Sequence, residues 1–167
     1  MKQLLLQPQG GSVEVVTQST LLDALLARNC QVAVACGGQG ICATCHVYVK
    51  EGEEALTPAT SRELRTLSLM TGAAPNSRLA CQACVIGNGL VVELPEGMYL
   101  QAAEDLTSLV GRRAQAPILH PADGRVLIAK GKIITRSRIL ELQDEDLSVT
   151  QLRDLTGKAR SRGDRPC

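Results

Sequence analysis

The residues best equipped for chemistry in this sequence are its cysteines. Cys36, Cys42 and Cys45 stand close together in "ACGGQGICATCHVYVK" (35–50), and Cys81 and Cys84 form a second cluster, "CQAC". Cys30 and Cys167 stand apart from both. Thiolates at such short spacings serve metal or redox chemistry, because the ionised sulfur is both ligand and nucleophile. Two groupings compete. Cys42, Cys45, Cys81 and Cys84 would make two CxxC knuckles around one zinc ion. Cys36, Cys42, Cys45 and Cys81 would make an iron–sulfur site that leaves Cys84 out.

Three features weigh against zinc. The 35 residues between Cys45 and Cys81 exceed the zinc-ribbon interval of about 15–20 residues. Cys36 would be stranded, and Gly37, Gly38 and Gly40 would have no role. A [2Fe–2S] cluster answers all three. Two irons need two thiolates each, over a span larger than one ion, so a long loop must wrap closely around the centre. Glycine permits that approach and the unusual φ values it demands. The cluster carries a formal charge of about −2 oxidised and −3 reduced, which N–H groups of the 37–45 loop are placed to stabilise. The spacing Cys36-x5-Cys42-x2-Cys45-x35-Cys81 is a one-residue variant of the Cys-x4-Cys-x2-Cys…Cys pattern of such sites.

Around these thiols the sequence predicts two strands, "KQLLLQP" and "SVEVVTQ", joined by the turn "PQGG". A helix follows in "STLLDALLARN", capped by Thr20, with Leu21, Leu22, Leu25 and Leu26 facing a core. "HVYVK" continues the cysteine loop as a strand. A second helix starts near "TPATSREL", with Pro58 at its first position after Thr57 and a capping box in Thr60 and Glu63. "RLACQACVI" and "LVVEL" are two further strands. Beyond "PEGMYLQAAED" come short strands separated by "ADG" and "KG", then helices over about 135–143 and after Ser148. The divisions are 1–98, 99–156 as an accessory module, and a flexible basic tail at 157–167.

At the cysteine loop the sequence resembles the [2Fe–2S] ferredoxin family, in its adrenodoxin-like and bacterial branch, whose first gap has five residues. "ACGGQGICATCHV" carries the resemblance together with "RLACQ" and the closing "ELPEG". It implies an α+β class with a β-grasp fold over residues 1 to about 97, followed by a small strand/helix module. It implies Cys36, Cys42, Cys45 and Cys81 as ligands of a [2Fe–2S] cluster, and one-electron transfer between a reductase and an acceptor protein rather than enzymatic catalysis. A second reading is a redox sensor whose cluster state is read out through the C-terminal module. Cys84 falls outside the motif; three positions along a strand from Cys81, it is expected to be a small buried thiol. Cys30 has the same expectation, and Cys167 is expected to be an exposed free thiol. His46 and Thr44 are expected to support the loop by hydrogen bonds without binding metal. The acidity usual after the third ligand is missing: Arg62, Arg65 and Arg78 accompany Glu63, either as a partner-selecting surface or as a solvated face.

Composition narrows the partners. There is no Phe or Trp, and Tyr48 and Tyr99 are the only aromatic residues, so base stacking is not available. Residues 1–98 carry 6 Lys/Arg and 8 Asp/Glu, and residues 99–167 carry 12 and 9, too balanced to predict nucleic-acid binding. No apolar run reaches the ~18 residues that span a bilayer. A cytoplasmic protein follows, with protein redox partners and with self-association or docking as roles for the module.

Overall fold

The computed structural model describes residues 1–100, 102–147 and Cys167. Strands β1 (Lys2–Gln7) and β2 (Ser12–Val15) form an antiparallel hairpin. Leu4, Leu6, Val13 and Val15 point inward while Leu5 and Glu14 point outward, as period-two alternation requires. Helix α1 (Leu21–Ala27) is capped as predicted: Thr20 accepts from the Asp23 N–H, and the Asp23 carboxylate accepts from the Thr20 N–H. Leu21, Leu22 and Leu25 are buried, but Leu26 is largely exposed.

β3 (His46–Glu51) follows the cysteine loop, and α2 (Ser61–Leu69) comes next. β4 (Ser77–Leu79) and β5 (Leu90–Glu93) complete a five-stranded sheet of order β2-β1-β5-β3-β4. β1 and β5 are parallel and the other pairs antiparallel. This mixed sheet with α1 packed on it is the β-grasp arrangement, α+β in class. Its core is aliphatic, with Leu4, Leu21, Leu25, Val47, Leu79 and Leu90 at its centre.

Three expectations are corrected here. Thr60, not Thr57, is the N-cap of α2, so Pro58 precedes the helix. Thr60 accepts from the Glu63 N–H, but the Glu63 side chain does not return to the cap; it is buried against Arg78. The strand predicted through "RLACQACVI" ends at Leu79, because Gln82 and Ala83 both donate backbone N–H groups to the Leu79 carbonyl and turn the chain.

The remaining residues build a second sheet of β6 (Met98–Tyr99), β7 (Ile118–Leu119) and β8 (Val126–Ile128). An unpredicted 3-10 segment, Ala103–Leu109, precedes β7, and α3 (Arg136–Gln143) falls where predicted, capped by Thr135. These elements enclose their own apolar core, centred on Leu100, Leu106, Ile134 and Leu142. The helix expected after Ser148 and residues 157–166 of the expected tail lie outside the described residues.

The module packs against the cysteine loop. The Ala43 N–H donates to the Pro121 carbonyl at 3.0 Å, and the Thr71 N–H, just past α2, donates to the Asp123 carbonyl at 2.8 Å.

Candidate metal centre

Residues 35–45, between α1 and β3, lack a regular element, and this stretch holds three of the thiols. Gly37, Gly38 and Gly40 adopt φ values of 68°, 81° and 73°, in the left-handed region. Gly40 is required for a second reason: a Cβ there would lie 2.7 Å from Cδ of Gln82. Thr66 on α2 donates its hydroxyl to the Gly40 carbonyl at 2.6 Å and pins the loop from the other side.

This coiling turns backbone N–H groups toward sulfur. Those of Gly38, Gln39 and Ile41 point at the Cys36 thiol. The N–H groups of Thr44 and Gly40 point at Cys42 and Cys81 respectively. The Thr44 hydroxyl is 3.1 Å from the Cys42 sulfur and itself accepts from the Ala35 N–H. That leaves the hydroxyl hydrogen for Cys42.

Cys36, Cys42, Cys45 and Cys81 are all buried and free of disulfides. They form two pairs. Cys45 and Cys81 approach at 3.4 Å between sulfurs, and Cys36 and Cys42 share a hydrogen bond. Thiolates held tetrahedrally at about 2.3 Å from a metal lie roughly 3.8 Å apart, so the spacing of Cys45 and Cys81 is close to that of two ligands on one metal. Among the described residues no three His, Cys, Asp or Glu side chains converge to hold a single ion. Two separate thiol pairs suit a two-iron cluster, which takes two thiolates per iron.

Each pair divides its charge. The hydrogen bond from Cys42 holds the Cys36 thiol down at about 5, against the opposing effect of burial. The same bond, burial and the neighbouring charge push Cys42 up. Cys81 is lowered by its bond from Cys45, and Cys45 is raised by it. In each pair one thiol is thus favoured as the thiolate over the other, and a metal cation would draw off the remaining protons.

The surrounding polar groups hold this geometry. The buried His46 ring shares a 2.7 Å hydrogen bond with the Ser77 hydroxyl, and burial lowers its pKa to about 4, so it stays neutral. It serves as the loop support expected, with its Nε2 turned to Ser77. Arg78 is not a solvated residue. It is buried, with Nε 2.7 Å and Nη2 3.2 Å from the Glu63 carboxylate, which also accepts from the Leu79 N–H at 2.9 Å. A buried carboxylate needs such a set of donors. The pair fixes α2 to the strand that leads into Cys81.

Cys84 is buried and Cys167 exposed, as expected, but neither is a free thiol. They form a disulfide with a Cα–Cα distance of 5.8 Å. Cys84 follows the turn after Leu79. Its N–H donates to the Thr57 hydroxyl, and its carbonyl accepts from the Thr57 N–H. Nothing in the spacing of the two cysteines signalled this bond. Cys30 is half-buried and lines an open cleft of about 1170 Å³ that backs onto Thr44 and His46.

Comparison with known proteins decides the family. Residues 4–86 match the family described as "2Fe-2S iron-sulfur cluster binding domain". A 2Fe-2S ferredoxin of Pseudomonas aeruginosa is 38% identical over 97 residues, covering 58% of this chain and 87% of the relative. The chain belongs to the [2Fe–2S] ferredoxin family. The crystal structure of the ISC-like [2Fe-2S] ferredoxin of Pseudomonas putida superposes with a TM-score of 0.53 at 31% identity, covering 57% of this ferredoxin and 93% of that chain. The covalent complex of putidaredoxin reductase with putidaredoxin contains a chain with a TM-score of 0.50 at 30% identity, covering 56% and 98%. This ferredoxin binds a [2Fe–2S] cluster and carries electrons; it is not an enzyme. Family membership favours the carrier over the sensor. Among the described residues no helix is long and apolar enough to cross a membrane.

Proposed function

We propose that Cys36, Cys42, Cys45 and Cys81 are the cluster ligands, Cys36 with Cys42 on one iron and Cys45 with Cys81 on the other. The observation that carries this reading is the arrangement of four buried thiols in two pairs, with loop amides turned toward their sulfurs. When bound, the cluster accepts and releases one electron at a time. The chain supplies the thiolates, the amides that balance their charge, and the apolar shell that keeps water away.

The donor is a reductase and the acceptor another redox protein, in the cytoplasm; the similar putidaredoxin has been solved in a covalent complex with putidaredoxin reductase. Residues 1–98 form the ferredoxin unit and 99–156 an accessory module. The hydrogen bonds from Ala43 and Thr71 to the module favour covering of the cysteine loop as its role. They leave the exposed residues Ala35 and Gly37 as the edge open to partners.

Iron and sulfide analysis of single variants tests the ligand set. Cys36→Ser and Cys81→Ser should lose the cluster and its visible absorption, while Cys84→Ser should keep both. Loss in Cys84→Ser with retention in Cys36→Ser would overturn the assignment.

A further inference from the structure

Gln82 directly follows Cys81, and its side chain is 2% exposed. Its amide nitrogen lies 3.1 Å from the Gly38 carbonyl, 3.3 Å from the Cys81 carbonyl and 3.5 Å from the Cys81 sulfur. The side-chain oxygen is buried without a hydrogen-bond partner. Leaving a buried acceptor unpaired is costly. The orientation persists because turning the amide over would set its oxygen against two carbonyl oxygens and a sulfur. Two oxygens and a sulfur therefore dictate where the N–H₂ points. On the loop side, Gly40 rests on the same side chain, close enough that any Cβ would collide with it.

We propose that Gln82 is a positioning residue that raises the reduction potential: its amide donates to the Cys81 sulfur and ties that ligand to the loop at Gly38. The proposal rests on Cys81 being a ligand. A hydrogen bond to a ligand sulfur is worth more after reduction, when the centre carries an additional negative charge. Gln82 therefore stabilises the reduced form over the oxidised one. It contributes twice, by its own N–H and by seating Gly40, whose backbone N–H also points at the Cys81 sulfur.

The test is a redox titration of the full-length loaded protein beside Gln82→Met, which keeps the length and shape of the side chain but donates nothing. Its equilibrium constant for one-electron reduction should fall about tenfold, a shift of ~59 mV to lower potential. Gln82→Leu, close in volume and equally without a donor, should shift the potential in the same direction; it decides the matter if Gln82→Met does not load. An unchanged potential in a fully loaded variant would overturn the proposal and reduce Gln82 to a packing residue. A wild-type level of iron and sulfide in Cys81→Ser would instead overturn the ligand assignment beneath it. These two failures are read by different measurements.

Discussion

The region around the thiols buries Thr44, His46, Glu63, Thr66, Ser77, Arg78 and Gln82, whereas beyond residue 98 the described residues bury His120 as their polar side chain. The contrast follows from what each region must hold. A loop wrapped around a charged centre leaves carbonyl and N–H groups out of any ladder, and each needs a partner once water is excluded. Thr66 and Gln82 supply such partners to Gly40 and Gly38. The described residues of the module instead enclose an aliphatic core. His120 fits the rule: its Nδ1 accepts from the Ala122 N–H and its Nε2 donates to the Asp146 carbonyl, closing the turn that meets Ala43.

Substitutions can break this contrast or sharpen it. Glu63→Ala should have the largest effect, destabilising by about 3–5 kcal/mol because it leaves Arg78 charged and buried. Chemical denaturation should record that loss together with a lower iron content. Leu142→Ala, at the centre of the second core, should cost about 2–5 kcal/mol, but iron and sulfide should stay at wild-type levels. If Leu142→Ala loses the cluster, the two regions form one cooperative unit and the contrast fails. Thr66→Val removes one buried bond to the loop and should cost roughly 1 kcal/mol, with faster iron release to a chelator. Lys130→Ala breaks an exposed pair with Glu96 and should change stability by well under about 1 kcal/mol.

Much of the thiol region was legible because its signals are local. Thr20 with Asp23 and Thr60 with the start of α2 are caps written within four residues. Leu4, Leu6, Val13 and Val15 show their strand by alternation, and the glycines mark the loop by the φ values they alone tolerate well. What was missed depends on the third dimension. Glu63 and Arg78 meet across 15 positions, and each alone reads as a surface charge. The β-branched and apolar residues after Arg78 suggest a strand, but the turn at Gln82 and Ala83 is imposed by bonds to Leu79. Gln82 stood in plain view inside "CQAC", yet only its contacts show which atoms its amide reaches. The two hydrogen bonds from Ala43 and Thr71 to the module run between backbone groups, for which residue types give no signal.

The disulfide between Cys84 and Cys167 gives the molecule a covalent shape that its strand order does not convey. The backbone from 84 to 167 becomes a closed ring, which residues 1–83 leave as an arm at Cys84. All of the second core lies in the ring, while the arm carries Cys36, Cys42, Cys45 and Cys81. A protease that severs one peptide bond within the ring opens it without releasing a fragment. The severed module remains covalently attached beside the "CQAC" turn until a thiol reductant divides the two sulfurs.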